Sequence, residues 1–157
     1  MADTLLVFPW PPSNNTLYWQ APNVRAGVKT LTQKGREYKQ RLLNLYASDD
    51  IETLEGPIKI TYILIPPTAG DRDLDNFLKA PQDGLKWLGI IKDDSQIKNV
   101  RIRIGNKSQI YNRGCIVILI DVLDDLTSYL IKNTEHAESC MDSIKDQWDE
   151  ISMQNLS

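Results

Sequence analysis

The sequence contains very little of the histidine and cysteine on which many catalytic and metal sites depend. Its 157 residues include one histidine, His136, and two isolated cysteines, Cys115 and Cys140, with no Cys-x-x-Cys spacing. A histidine-based zinc centre or a Ser-His-Asp triad would depend on His136 alone, which has no partner at ligand spacing. We expect both thiols to be free, as is usual in a reducing cytoplasm.

Two other features are missing from the chain. It has no Gly-rich phosphate loop, so we expect no nucleotide cofactor. No apolar run approaches the roughly 20 residues that cross a bilayer, and the start lacks a basic signal-peptide region, so we expect a cytoplasmic protein without a membrane partner. The hydrophobic (41%) and charged (25%) contents are ordinary for one soluble globular domain of this length.

The formal net charge of −3 is unevenly distributed along the chain. Residues 122–157 carry eight acidic residues and two lysines, a net charge of −6, whereas residues 1–121 carry a net charge of +3. The larger part of the chain is therefore basic. That positive charge is compatible with a nucleic-acid partner. The net charge of the whole chain is negative and would not indicate such a partner.

Apolar spacing and turn residues predict the element order βαβαββ, followed by an acidic tail. Strands are predicted at 4–8, 58–65, 97–104 and 114–122, and helices at about 33–47 and 75–87. Pro81 falls within the second helix, which is expected either to kink there or to begin later. The order predicts a small α/β or α+β domain at residues 1–123. The extension at 124–157 is predicted to be a peripheral helix or partly disordered.

Carboxylates concentrate in two short segments. Asp73 and Asp75 lie in the run Asp-Arg-Asp-Leu-Asp-Asn, and Asp94 follows nineteen residues after Asp75. Grouping them is unfavourable because like charges repel, and a hard divalent cation such as Mg2+ removes that repulsion. Lys79 lies one helical turn after Asp75, and its charge favours a site that binds phosphate over a site that binds only a metal ion. The pattern predicts metal-dependent chemistry on a phosphate ester.

The spacing of the carboxylates sets conditions on how they could share an ion. Residues two apart lie on the same side only in extended chain, so Asp73 and Asp75 can cooperate if the backbone is extended at Asp73. Asp94 can join them only if the chain doubles back along the preceding helix, and Gly89 permits such a reversal.

Simpler interpretations explain this segment less well. A calcium-binding EF-hand loop would need Gly and Glu at the positions where the chain has Asn76 and Gln82. Helix capping would account for Asp73 or Asp75, but not for both.

Three motifs together resemble one protein family. The motifs are Pro-Trp-Pro-Pro-Ser-Asn-Asn at 9–15, Asp73-Leu-Asp75-Asn-x-x-Lys79, and Asp-Asp94-Ser-Gln at 93–96. In this order and spacing they resemble the RusA family of Holliday junction resolvases, over roughly residues 5–122. The resemblance implies a homodimeric, Mg2+-dependent endonuclease with a mixed sheet and two main helices. Such enzymes cut four-way DNA junctions by paired symmetric nicks in DNA recombination and repair, and members occur in bacteria and their prophages.

The resemblance also assigns roles to individual residues. Asp73, Asp75 and Asp94 look like the catalytic carboxylates that hold Mg2+. Lys79 looks like the family's essential lysine and is expected both to act in catalysis and to contact DNA. Arg72 occupies a basic position just before the second motif and is expected to contact DNA.

Departures from the family pattern keep alternatives open. Asp71 stands where the family often has a basic residue, and the extension after about residue 123 exceeds the family core. A nuclease selective for forks or flaps would carry the same motifs. A non-catalytic DNA-binding or assembly protein on the same fold would be expected to lose a carboxylate or Lys79, and all of them are present.

Overall fold

A computed structural model describes residues 4–20, 29–70, 72–105 and 113–123. Within these ranges the elements are β1 (Thr4–Pro9), α1 (Asn14–Leu17), β2 (Tyr18–Trp19), β3 (Thr30–Leu31), α2 (Gln33–Leu45), β4 (Ile58–Ile65), α3 (Lys79–Trp87), β5 (Ile97–Ile104) and β6 (Cys115–Val122). Short 3₁₀ turns at Leu74–Phe77 and Asp94–Gln96 precede α3 and β5. None of the described helices is long and apolar enough to cross a membrane.

The fold is a mixed α/β arrangement, which confirms the predicted class. Residues 1–122 form one compact unit. The predicted extension at 124–157 lies outside the described residues, so its boundary and its structure stay predictions.

Four strands form a mixed sheet in the order β1-β6-β4-β5. β6 is antiparallel to both β1 and β4, whereas β4 and β5 are parallel. Parallel neighbours need a long crossover connection, and here that connection contains α3. The same crossover carries Asp73, Asp75, Lys79 and Asp94. The topology therefore gathers the predicted site residues into one connection.

The core lies between one face of the sheet and the helices α2 and α3. Buried side chains alternate along β4, as expected for a strand with one face against the core. Gly84 lets α3 pack closely against α2 and β1, because a Cβ at this position would lie 2.8 Å from Leu42 Cδ1 and 2.9 Å from Phe8 Cε2. The largest fully buried side chains include Tyr62, Phe8, Leu17, Leu42, Leu85 and Ile118.

The opposite face of the sheet also carries apolar side chains near the β1 edge. Leu5 is 64% exposed and Val7 is 38% exposed. They are in register with Leu119 and Val117 of β6, which are half-buried. These four residues form an apolar surface, called here the β1 patch, of the kind that often serves as an interface.

Most predicted elements are confirmed, with changes at their ends. Thr32 is the N-cap of α2, and its hydroxyl accepts a hydrogen bond from Gly35 N at 3.0 Å. The second long helix begins at Lys79 rather than at residue 75. Pro81 therefore lies in the first turn, where its missing N–H leaves no hydrogen bond unmade. Gly89, with φ of +72°, then reverses the chain.

Three short elements were not predicted. The chain enters α1 at Asn14, where no helix was predicted, and the stretch before Thr32 contains the antiparallel pair β2–β3, where no strand was predicted. In this pair Tyr18 lies opposite Leu31. These elements matter for the site, because α1 positions the side chain of Asn14 and β2 positions that of Tyr18.

Candidate active site

One face of α3 presents two lysines beside a buried aspartate. Lys79, Asp83 and Lys86 are spaced by four and three residues, so they share one side of the helix. Oδ1 of Asp83 lies 3.0 Å from Lys79 Nζ and 3.3 Å from Lys86 Nζ. Asp83 is only 3% exposed. The two ammonium groups compensate a carboxylate charge that would otherwise be very unfavourable to bury.

The second carboxylate oxygen of Asp83 is held from β2. Tyr18 OH donates a hydrogen bond to Asp83 Oδ2. Burial, together with that hydrogen bond and the charges of Asp83 and Asp94, raises the pKa of the Tyr18 phenol above its usual value. Tyr18 therefore stays protonated near neutral pH and remains a donor to Asp83.

Asp94 returns to α3 after the reversal that follows the helix. Its Oδ2 lies 3.1 Å from Lys86 Nζ and 3.6 Å from Lys79 Nζ. The chain thus doubles back along α3, as the sequence predicted for Asp94. Burial lowers the pKa of Lys86, but the hydrogen bonds and charges of Asp94 and Asp83 outweigh it, and the net pKa is raised. Both lysines therefore bridge Asp83 and Asp94.

A capping box holds the backbone on either side of Asp94. Ser95 N donates to Asp93 Oδ1 at 2.8 Å, and Asp93 N donates to Gln96 Oε1 at 3.2 Å. The hydrogen bonds from Ser95 lower the pKa of the Asp93 carboxyl group. Gln96 Nε2 also donates to the Leu54 carbonyl at 2.9 Å, which ties the turn to the segment before β4. Asp94 therefore projects from a well-anchored turn.

Asp73 and Asp75 lie on the segment that leads into α3, and both are exposed. The backbone is extended at Asp73 (φ −74°, ψ 113°) and enters a 3₁₀ turn at Leu74. Asn76 Nδ2 donates a long hydrogen bond of 3.4 Å to Asp73 Oδ2. Within the described chain neither carboxylate belongs to an ion pair.

Asn14, at the start of α1, connects this segment to α3. Its Nδ2 donates to the Asp75 carbonyl at 2.8 Å, and its Oδ1 accepts from Lys79 N at 3.3 Å. One amide side chain therefore holds the backbone of Asp75 beside the first residue of the helix.

Arg72 is anchored by an aromatic ring and by the loop after β4. Its guanidinium carbon lies 5.4 Å from the Trp10 ring centroid, and Trp10 packs against Phe77. Arg72 Nη2 also donates to the Thr68 carbonyl at 3.2 Å and to the Thr68 hydroxyl. These contacts keep a cation next to Asp73. Its predicted contact with DNA stays a prediction.

A cavity of about 520 Å3 adjoins Lys79. Two lysines and three amide side chains contribute to its described lining, which includes no carboxylate, so its charge suits a phosphate group. The lining residues are Asn14, Asn15, Tyr18, Gln20, Lys29 and Lys79.

The structure brings Lys79 and Asp94 together, but in the described chain no contact joins Asp94 to Asp73 or Asp75. No three His, Cys, Asp or Glu side chains among the described residues are grouped to hold one metal ion, so the shared metal site stays a prediction. The donor chemistry nevertheless fits Mg2+, because all three aspartates offer hard oxygen ligands. Oδ1 of Asp94 is also enclosed without a hydrogen-bond partner.

Sequence reasoning misses three residues of this site: Tyr18, Asp83 and Lys86. Helical spacing could have revealed two of them, because Asp83 and Lys86 continue the face that begins at Lys79. Tyr18 depends on the pairing of β2 with β3, for which the sequence carries no comparable signal.

Comparison with known proteins identifies the same part of the chain. The family model described as Endodeoxyribonuclease RusA matches residues 9–120. The chain is 31% identical over 98 residues to proteins named crossover junction endodeoxyribonuclease RusA from Enterobacteria phage 82, Shigella sonnei (strain Ss046) and Escherichia coli (strain K12). Each alignment covers 62% of this chain and 78% of the relative.

Proposed function

Because this chain belongs to the RusA family of endodeoxyribonucleases, we propose that it is a Mg2+-dependent endonuclease that resolves four-way DNA junctions. It cuts them by paired symmetric nicks in DNA recombination and repair. It acts in the bacterial cytoplasm and is encoded by the bacterium or by a prophage. The junction as substrate is supported by the name of its relatives, crossover junction endodeoxyribonuclease.

The observation that carries this proposal is the approach of Lys79 to Asp94, with 3.6 Å between Nζ and Oδ2. The two residues come from different motifs, and a reversal of the chain is needed for them to meet. The side chain of Lys79 is 41% exposed, so its ammonium can be ion-paired with Asp83 and Asp94 while a donor still faces solvent. Lys79 can therefore be held by two carboxylates and still bind a phosphate oxygen.

Asp73, Asp75 and Asp94 would hold the metal ion. When bound there, Mg2+ would supply Lewis acidity at the scissile phosphate and lower the pKa of a bound water. Lys79 donates to a phosphate oxygen on which negative charge develops, and so stabilises the transition state. Arg72, held on Trp10, attracts the neighbouring phosphate. The cavity beside Lys79 accepts the backbone of the strand that is cut.

A homodimer would supply the two sites that symmetric nicking requires. The β1 patch supports this part of the proposal, because exposed Leu5 and Val7 offer an apolar surface for a second copy. Sedimentation velocity of the whole protein tests it. Leu5→Lys should shift a dimer toward monomer, whereas a wild-type chain that stays monomeric at micromolar concentration contradicts the dimer.

The deciding experiment compares three DNA substrates with the same arm sequences: a mobile four-way junction, a fork and a linear duplex. With Mg2+ present we expect the junction to be cut fastest, with nicks at symmetric positions on two opposed strands. Faster cutting of the fork would support the fork- or flap-selective nuclease instead. Binding without cleavage of any substrate would support the non-catalytic alternative.

A further inference from the structure

Asp83 is buried at the point where the two lysines of α3 converge. Among the residues that the structure describes, it is the only charged residue that is buried. Both of its oxygens are used, one by the ammonium groups of Lys79 and Lys86 and the other by the hydroxyl of Tyr18. Because it is buried and both oxygens have partners, the carboxylate is an anchor that a ligand from solution does not reach.

The lysines differ from their anchor in exposure. The side chains of Lys79 and Lys86 are 41% and 30% exposed, and both reach past Asp83 to Asp94. A lysine carries its charge on a flexible four-carbon chain, so an unanchored ammonium would occupy many positions. A group that acts on a transition state is most effective when its position is set beforehand.

We propose that Asp83, held by Tyr18, is a positioning residue that fixes the ammonium groups of Lys79 and Lys86 toward the phosphate that is cut. This inference rests on the proposed nuclease function. It adds Lys86 as a second cation of the site and gives Asp83 and Tyr18 a part in turnover. Asp83 is buried and acts through the lysines rather than by touching the substrate.

A purely stabilising role for Asp83 makes different predictions. A buried ion pair contributes little net stability relative to an apolar replacement, so its presence alone is weak evidence for a structural purpose. A stabilising residue would change the melting temperature but leave the folded protein fully active. A positioning residue would change the rate of the folded, DNA-bound protein.

The test measures single-turnover junction cleavage in Mg2+ at saturating protein, together with junction binding and thermal unfolding. Asp83→Asn keeps the shape of the side chain and removes its charge. We expect cleavage to fall by about tenfold or more while binding stays within about threefold, the scale usual for residues that orient an active group. Asp83→Glu keeps the charge at a shifted position and should recover part of the rate.

A combined variant shows whether Asp83 acts through the lysines. Adding Asp83→Asn to the Lys79→Ala, Lys86→Ala double variant should cause no further loss of rate, because the groups that Asp83 positions are already gone. An equal loss with and without the two lysines would overturn the proposal. So would a folded Asp83→Asn protein that cuts at the wild-type rate.

Two further variants keep the test decisive. If Asp83→Asn does not fold, Tyr18→Phe removes only the hydrogen bond to the anchor and should slow cleavage by about threefold to tenfold; an unchanged rate would overturn the proposal.

Glu55→Gln is the matched control, because it removes the exposed Lys92–Glu55 ion pair and should leave the rate unchanged. A wild-type protein that cuts no substrate overturns the nuclease function as well, whereas normal cutting by the Asp83 and Tyr18 variants overturns the positioning role alone.

Discussion

The two sides of the candidate site are built in different ways. On the helix side, the carboxylates of Asp83 and Asp94 share the ammonium groups of Lys79 and Lys86. On the segment side, Asp73 and Asp75 are exposed and lack a described ion pair. Asn14 joins the two sides through the backbone of Asp75 and Lys79.

This difference indicates which part of the site the protein organises by itself. The helix side has its charges balanced by its own residues, so its geometry is set before any ligand arrives. The segment side presents two like charges close together, and a cation from solution is what would balance them. We therefore expect mutations on the helix side to act by breaking contacts between its own residues. Mutations on the segment side should act by weakening metal binding.

The largest expected effect comes from neutralising the carboxylates. Asp73→Asn, Asp75→Asn and Asp94→Asn should each reduce junction cleavage in Mg2+ to background, because each would remove a ligand of the ion. Binding should stay near the wild-type value, since a lost negative charge also lessens repulsion of phosphate. Cleavage and binding assays on the purified variants check this, and wild-type cutting by a variant would remove its residue from the active site.

Thermal unfolding of the same three variants sharpens the comparison. Asp94→Asn removes the partner of two lysines and should lower the melting temperature. Asp73→Asn and Asp75→Asn should leave it unchanged or raise it slightly, because each relieves repulsion between exposed groups. Equal losses of stability in all three would contradict the distinction between the two sides.

Exchange of the metal tests the segment side without a mutation. Replacing Mg2+ with Ca2+ should preserve junction binding and suppress cutting to near background, because Ca2+ accepts looser coordination with longer bonds. Asp83→Asn should be suppressed by Ca2+ to the same extent, since its defect lies on the helix side. Robust turnover in Ca2+, with contaminating Mg2+ removed by chelation and back-titration, would contradict a strict octahedral site.

Lys79 tests the helix side directly. Lys79→Ala should reduce cleavage at saturating protein by at least about a hundredfold, the usual scale for loss of one electrostatic contact to a transition state. Binding should change far less. Lys79→Arg should recover only part of the rate, because a planar guanidinium replaces a compact charge. A folded, junction-bound Lys79→Ala protein that cuts at the normal rate would make Lys79 a structural counter-charge only.

Local patterns carried most of the fold that could be predicted. β4 is rich in β-branched residues, and α2 follows a capping threonine, so both could be located from neighbouring residues. The parallel pairing of β4 with β5 and the sheet order depend on contacts between distant segments, which no local pattern encodes. For the same reason the two-residue strands at Tyr18–Trp19 and Thr30–Leu31 were not predicted.

The site shows the same division between local and distant information. Lys79 and Asp94 were predicted from motifs, and the reversal at Gly89 that brings them together was anticipated. The start of α3 depends on where Pro81 falls in the first turn, which periodicity alone could not decide. In the sequence, Asp83 cannot be distinguished from an ordinary polar residue of a helix. Only the fold buries it and brings the Tyr18 hydroxyl to its carboxylate.

Asn14 tests the connection between the two sides, and its replacement should affect cleavage less than replacement of Lys79 or of the three aspartates. Asn14→Ala removes the hydrogen bonds to the Asp75 carbonyl and the Lys79 amide, which should lower the free energy of unfolding by about 1–2 kcal/mol. It should also slow cleavage by about tenfold, because the segment is no longer held against α3. Asn44→Ala is the matched control, because it removes an exposed amide of α2 that contacts Gln40 and lies outside the site. If Asn14→Ala cuts as fast as Asn44→Ala, the two sides do not depend on Asn14 to act together.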